Sequence, residues 1–322
     1  MEYSKYKSKM AVYVGDELAA YNFGEAHPFS PARHDAFYNQ FSDSGMDEHD
    51  GVQMLAPVLA TREEIALFHE EQYIDKVIAQ SATGEGYLDC GDTPAVKGIY
   101  TPVRYVVGST LDAVHKIMAG EYSQAFIPIA GLHHARRESA SGFCVFNDCG
   151  VAIEVLRSQY NLCCVAYIDI DAHHGDGVFY AYQADPFVIF ADIHEDGAYL
   201  YPGTGRESEV GLGEAKGYKL NIAMKPGADD KAMLHRWPEI EALLRQHKPE
   251  FIIFQCGADS VEGDPLTHMS FSEQSHAYAA QRLVALANEF GHGRVLALGG
   301  GGYNLDNIAK TWCAVVEAIL SV

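Results

Sequence analysis

Positive charge is what this sequence has least of: 23 Lys and Arg stand against 44 Asp and Glu, a formal net of −21 with the 15 His counted as neutral. Binding a nucleic-acid duplex needs a basic patch that displaces counterions from phosphates, and none is visible, so no direct nucleic-acid binding is expected. A cationic substrate or partner is electrostatically easier for such a chain to attract. Cysteine is sparse as well. The 7 Cys are odd in number and scattered through apolar segments, and the adjacent pair Cys163–Cys164 lacks metal-finger spacing. They read as reduced core thiols of an intracellular protein. No uncharged apolar run reaches the roughly 18 residues a membrane-spanning helix needs. The Lys-bearing start, Met1 to Met10, runs into a short MAVYV stretch without a small-residue cleavage pattern. A soluble, cytoplasmic protein without membrane contact is expected. Proline is also low at 12, and there is no Pro/Ser linker, internal repeat or low-complexity tract. With 48% hydrophobic residues over 322 positions, the chain can bury a sizeable core, and it is expected to form one domain with residues 1–9 as a flexible N-terminal segment.

What is present is alternation. Short apolar, β-branched runs at Met10–Val14, Ala125–Ile129, Cys164–Ile170, Phe187–Ala191, Tyr218–Ile222, Phe251–Gln255 and Val295–Leu298 read as strands. Helical patterns lie between them at Arg33–Phe41, Arg62–Ala79, Thr101–Met118, Asp148–Gln159, Asp230–His247, Ser272–Glu289 and Asn304–Leu320. This alternation predicts an α/β fold with a mostly parallel sheet between helical layers. VAYIDI and FIIFQC are apolar almost throughout, as central parallel strands should be. In such sheets ligands bind beyond the carboxyl ends of the strands.

Four polar segments sit at such ends: Gly131-Leu-His-His-Ala, Asp169-Ile-Asp-Ala-His-His-Gly-Asp176, Gly257-Ala-Asp-Ser-Val-Glu-Gly-Asp264 and Gly299-Gly-Gly-Gly-Tyr-Asn304. Asp169, Asp171 and His173 share parity, so an extended chain would turn them to one face. Two carboxylates and an imidazole are expensive to bury together unless a cation neutralises them. A divalent metal meets that need, and open hydrolytic sites use three protein ligands plus a water. Asp259, following the FIIFQC strand, is the natural third ligand. The competing structural reading makes these Asp residues turn and helix caps and His173 a satisfied polar side chain; the density of the cluster argues against it. His133 and His134 are adjacent at one rim and suit proton transfer when each is held in a defined tautomer, a role for which Asp169 and Asp176 are available. The glycine run permits close backbone approach and would let Tyr303 lean into the crevice as a donor to an oxyanion. It has neither the Lys-Ser/Thr ending of a phosphate loop nor dinucleotide-binding spacing.

Gly131-Leu-His-His-Ala, Ser141-Gly-Phe-Cys, Tyr167-Ile-Asp-Ile-Asp-Ala-His-His-Gly-Asp-Gly177, Tyr201-Pro-Gly-Thr-Gly205, Gly257-Ala-Asp and Leu298-Gly-Gly-Gly-Gly-Tyr-Asn304 together resemble the zinc-dependent histone deacetylase superfamily. The likeness runs in order from about Val12 to the C-terminus. It is nearest to a class I-like bacterial branch of acetoin utilization proteins and acetylpolyamine amidohydrolases. The resemblance implies the arginase–deacetylase fold, with a central sheet of about eight strands. It also implies Zn²⁺ on Asp171, His173 and Asp259, with Fe²⁺ fitting the same ligands, and a structural K⁺ near Asp169, Asp171 and His173. Asp192 lies where many relatives carry Ser near that K⁺. The resemblance makes His133 and His134 a catalytic pair oriented by Asp169 and Asp176 respectively, and Tyr303 the transition-state tyrosine. It assigns Gly142 and Phe143 to an acyl tunnel with Tyr201 opposite, where many relatives carry Phe, and Leu266 to the tunnel mouth. Asp92 matches a rim carboxylate that accepts a substrate backbone amide, and Arg33 the foot of an internal acetate cavity. The implied activity is removal of acetyl or related acyl groups from lysine Nε in proteins, with acetylpolyamines or other small acetylated amines as the alternative substrates. No oligomeric interface is read from the sequence.

Two rival readings fit the residues less well. A binuclear manganese hydrolase on the same fold would need Asp-x-His-x-Asp and Asp-x-Asp, whereas here the last carboxylate of the first motif, Asp176, is one residue out of step and position 261 is Val. A non-catalytic acetyl-lysine or acetate binder would be expected to have lost a ligand, a His or the Tyr, and all are present.

Overall fold

The structure, a computed structural model, describes residues 10–24, 27–89 and 91–322; the segment 1–9, expected to be flexible, lies outside the described residues. Eight strands form one sheet: β1 (Met10–Tyr13), β2 (Val52–Leu55), β3 (Gln124–Ile127), β4 (Val165–Asp169), β5 (Val188–Glu195), β6 (Lys219–Met224), β7 (Ile252–Gln255) and β8 (Val295–Leu298). Their spatial order is β2-β1-β3-β8-β7-β4-β5-β6 and all neighbours run parallel. The helices flanking the sheet are α1 (Asp16–Ala19), α2 (Ala32–Asp43), α3 (Arg62–Ile65), α4 (Glu71–Thr83), α5 (Tyr100–Met118), α6 (Asp148–Tyr160), α7 (Asp176–Tyr182), α8 (Asp230–His247), α9 (Glu273–Glu289) and α10 (Leu305–Leu320). Every residue of β3, β4, β7 and β8 is buried. This explains their unbroken apolar runs, each large side chain contributing about 1.5–3 kcal/mol by leaving water.

Every strand expected from the sequence is present, with ends shifted by a few residues. β2 was not expected. It is a half-buried edge strand of sequence VQML, too short and too mixed to announce itself. The single helix expected over Arg62–Ala79 is two, α3 and α4. Thr61 and Glu64 close a capping box that starts α3, and the chain then turns so that Phe68 and His69 are buried. The apolar periodicity runs on through the break because those two side chains are core residues, which hid the turn. The short helices α1 and α7 were also unread.

The central strands end level with one another: Asp169 pairs with Gln255, Gln255 with Leu298, and Leu298 with Ile127. All four polar segments therefore emerge side by side from the middle of the sheet. The loop after β3 is braced from α6, whose N-cap Asn147 accepts the Gly150 N–H at 2.8 Å. The Asn147 side-chain amide donates to the carbonyl of Ala135 at 2.9 Å, and its backbone N–H donates to His69 Nε2 at 2.8 Å. Nδ1 of His69 therefore carries the ring proton and faces the Arg137 carbonyl at 3.3 Å.

Burial pushes the His69 imidazole down to about 3 from an ordinary 6.5. Above pH 6.5 the ring is neutral whether the chain is folded or not. Below it the unfolded chain takes up a proton that the folded one refuses, so stability falls as the pH drops toward 3, by at most about 1.4 kcal/mol per pH unit. His69→Gln, which keeps an acceptor, is expected to flatten that decline in urea midpoints measured between about pH 6 and 4. A decline as steep as the wild type's would place the acid sensitivity elsewhere.

Candidate active site

β4 ends at Asp169, so the shared-face argument from an extended chain does not hold beyond it: Asp171 to His173 lie in a bend after the strand. The bend, not strand parity, turns the side chains together. His173 Nδ1 stands 3.1 Å from Asp171 Oδ1 and 2.9 Å from Asp259 Oδ2. Asp259 arrives on a short 3₁₀ turn, Ala258–Ser260, just past β7. Each carboxylate spends its other oxygen on the protein. Asp171 Oδ2 accepts from the Gly301 N–H and from Gln255 Nε2, both at 2.8 Å, and Asp259 Oδ1 accepts from the Ala172 N–H at 2.8 Å. One oxygen from each Asp and one ring nitrogen are left converging, all within 4.8 Å of one another.

This donor set fits a divalent cation. Burial and the Asp171 charge push the Asp259 carboxyl up to about 7. Burial alone would lower the His173 imidazole, but Asp259 and Asp171 more than reverse that and hold it well above its ordinary value. The triangle thus calls for positive charge, which a metal held by two carboxylate oxygens and an imidazole supplies, with supporting hydrogen bonds on the non-ligating oxygens.

Beside it stand the two rim imidazoles, both buried. His133 Nδ1 meets Asp169 Oδ2 at 2.8 Å and His134 Nδ1 meets Asp176 Oδ1 at 2.7 Å, as the family resemblance implied. The Nε2 atoms face each other at 3.1 Å. Burial, and then the neighbouring His133, push His134 down to about 4, so it is neutral near pH 7. Asp169 is itself held by the Tyr167 hydroxyl at 2.6 Å. Asp192, on the neighbouring strand, bonds His194 Nδ1 at 2.8 Å and the Gly175 N–H at 2.9 Å.

A cavity of about 260 Å³ leads to this floor, lined by Asp92, His134, Gly142, Phe143, His173, Leu200, Tyr201, Leu266 and Tyr303. Five expected substrate-binding residues, Asp92, Gly142, Phe143, Tyr201 and Leu266, are thereby brought together. Phe143 is held at φ 65, a left-handed conformation uncommon outside glycine. A side chain at position 142 would run into the His134 ring, so the wall can approach the imidazole only as glycine. The Phe143 N–H donates to Thr93 Oγ1 at 3.1 Å, and that hydroxyl donates to Asp92 Oδ1 at 2.9 Å. Burial and the nearby Asp89 push the Asp92 carboxyl up to about 6. Tyr201 bonds Ser141 hydroxyl to hydroxyl at 2.5 Å. Arg33 does not line this cavity. It is fully buried beneath the glycine run, donating from Nε to the Gly302 carbonyl at 2.7 Å, with Phe29 stacked on its guanidinium at 4.0 Å. Phe29 also borders a narrow void under the triad, lined by His133, Asp171, Gly300 and Tyr303 among others, and Arg33 Nη1 has no hydrogen-bond partner among the described residues.

Sequence reasoning missed several supporting residues. Asp148 accepts from the N–H groups of Gly131 and Leu132 at 3.0 and 2.8 Å and so fixes the loop carrying both His residues; it was read as a helix start. A lone carboxylate inside the apolar run FCVFNDCGV was the available signal. Gln255, the polar end of an apolar strand, carried the same signal, whereas nothing in the sequence marked Leu200.

Residues 27–319 match the family model described as the histone deacetylase domain. The chain is 35% identical over 304 residues to the acetoin utilization protein AcuC of Bacillus subtilis (strain 168), covering 92% of this chain and 78% of that protein. It is 30% identical to histone deacetylase RPD3 of Saccharomyces cerevisiae, covering 95% and 71% respectively. The solved HD domain of HDA15 superposes with a TM-score of 0.91 at 26% identity, over 98% of this chain and 89% of that one. With the sheet order, the Asp-His-Asp triangle and the matched span in agreement, the chain belongs to the histone deacetylase family and is a deacetylase, a hydrolase acting on amides.

Proposed function

We propose that this protein removes acetyl groups from the Nε of lysine in proteins, using Zn²⁺ held by Asp171, His173 and Asp259, a ligand set that Fe²⁺ also fits. The observation that carries this reading is the juxtaposition of the converging triad with two carboxylate-oriented imidazoles at the bottom of one narrow cavity. When bound, the divalent ion polarises the amide carbonyl and makes water a better acid. The chain's own groups do the rest. Phe143 and Gly142 face Tyr201 and Leu200 across a slot suited to the methylenes of a lysine, and Asp92 at its side accepts a backbone N–H of the substrate. His134, neutral and with Nδ1–H fixed on Asp176, offers Nε2 as the base for the attacking water and returns the proton to the departing amine. The Asp176 carboxylate faces the charge that His134 acquires, and His133, fixed on Asp169, assists electrostatically. The Tyr303 phenol, kept protonated by burial, donates to the developing oxyanion. A K⁺ ion is part of the same proposal: Asp169 and Asp192 are fully buried on paired strand positions, and a monovalent cation nearby would offset their repulsion.

The names of relatives, acetoin utilization proteins and histone deacetylases, are compatible with a protein substrate. The net charge of −21 suits a Lys-rich target segment, and equally a polyamine. The deciding measurement is kcat/KM on zinc-loaded protein for acetyl-lysine peptides against acetylpolyamines; preference for the peptides is expected, and a reversed preference moves the assignment to the small amines. Acetate release is expected to stop on chelation and return with Zn²⁺. No turnover of any acyl amide would make the protein a binder. His134→Ala and Tyr303→Phe are each expected to lower kcat roughly 100-fold or more while leaving metal content, read by elemental analysis, unchanged. Near-wild-type rates in either variant would remove that residue from the chemistry. Asp259→Asn is expected to lose both metal and activity; retention of stoichiometric metal would break the ligand assignment.

A further inference from the structure

The phenol on which the reaction relies has no partner of its own. Among the described residues no group hydrogen-bonds the Tyr303 hydroxyl, and the ring meets Phe143 edge-on at 6.0 Å with the Arg33 guanidinium over its face at 5.5 Å. Its aim must therefore come from its backbone. That backbone follows four consecutive glycines, the type of chain least able to hold a direction by itself. The last of them, Gly302, sits at φ 121, a value that side-chain-bearing residues rarely adopt.

The peptide group joining Gly302 to Tyr303 is gripped from both ends by opposite charges. Its carbonyl accepts from Arg33 Nε at 2.7 Å, and its N–H donates to Asp264 Oδ2 at 2.7 Å. Charge-assisted bonds of this length are about twice as strong as neutral ones, and a peptide plane held at both its C=O and its N–H cannot rotate without losing both. The second oxygen of the same carboxylate accepts the Leu266 N–H at 2.9 Å, and Leu266 stands at the mouth of the cavity. Asp264 is largely buried, so water does not replace these bonds easily. The neighbouring Asn304 caps α10 through the Asp306 and Asn307 N–H groups and reaches the Gly263 carbonyl at 3.2 Å. The loop ahead of Asp264 is thereby tied to the residue after the tyrosine.

We infer that Asp264 is a positioning residue for the reaction: its carboxylate fixes the Gly302–Tyr303 peptide plane, and with it the phenol, while yoking the tunnel-mouth Leu266 to the same point. The inference rests on Tyr303 acting as the oxyanion donor. Asp264 touches neither substrate nor metal and acts on the chemical step through Tyr303.

Asp264→Asn preserves shape but replaces one acceptor oxygen with an NH₂ group, so one of the two N–H bonds must be lost. On zinc-loaded full-length protein with an acetyl-lysine peptide, this variant is expected to lower kcat by about 10- to 100-fold, the effect of a misplacement of about 1 Å, with KM changed less than about threefold. In a Tyr303→Phe background the same substitution is expected to have almost no further effect on the residual rate. A full-sized loss in that background, or wild-type kcat in Asp264→Asn, overturns the inference. A crystal structure of the metal-loaded variant gives a readout that needs no turnover: the Gly302–Tyr303 peptide is expected to be turned or the phenol displaced, and a wild-type placement overturns the inference whatever the rates are. Absence of turnover in the wild type would count against the deacetylase substrate reading and leave this crystallographic comparison to decide. Should Asp264→Asn fail to fold, Asp264→Glu, which keeps the charge one methylene further out, is carried through the same measurements with the same criteria.

Discussion

Two carboxylates pointed at one imidazole nitrogen inside a folded protein repel each other, and the upper edge of the sheet is organised around that repulsion. At the 4.8 Å limit within which the ligand atoms lie, two unit charges oppose each other by about 3–4 kcal/mol at an effective dielectric of about 20. The fold accommodates this by giving one oxygen of each carboxylate to the protein: the Gly301 N–H and Gln255 hold Asp171, and the Ala172 N–H holds Asp259. These bonds tie the loop after β8 to the loop after β4, and the loop after β4 to the loop after β7. The same contacts that make the triangle tolerable therefore assemble the surrounding machinery, and a cation in its centre completes an arrangement that is already directed at it.

Around that triangle, environment alone gives similar groups different states. Burial, with the neighbouring His133, holds His134 neutral, whereas two carboxylates hold the His173 imidazole well above its ordinary value. Asp176 stays below the ordinary carboxylate range because the His134 and Arg136 contacts outweigh its burial. Asp148, buried to the same degree, instead spends its oxygens on backbone N–H groups and the Thr110 hydroxyl. The imidazoles of His134 and His173, like the carboxylates of Asp176 and Asp148, thus differ in what they touch and not in residue type.

What could be read in advance follows from that distinction. β4 and β7 were legible because strands buried on both faces must be apolar throughout, and Asp171, His173, Asp259, His133 and His134 were legible because so many titratable groups at strand ends demand a common purpose. The second kind of residue was opaque. His69, Asn147 and Asp148 act through partners far away in the chain, and no local pattern marks a histidine that accepts a backbone N–H contributed 78 positions later. β2 escaped because an edge strand needs no strong apolar signature, and the turn between α3 and α4 escaped because Phe68 and His69 keep the helical rhythm while leaving the helix. Arg33, which the resemblance puts at the foot of an internal cavity, lies behind the glycine run, hydrogen-bonded to the loop that carries Tyr303.

The strand order carries a consequence for how the molecule comes into being. β8 lies between β3 and β7, and no pairing joins those two directly. The sheet is thus two slabs, β2-β1-β3 and β7-β4-β5-β6, joined by β8, the last of the described strands in chain order. A nascent chain that has already exposed Asp171, His173 and Asp259 still lacks Val295–Leu298, and the loop beyond it with Gly301 and Tyr303. Without β8, β3 and β7 each present an unpaired edge to the gap that it fills.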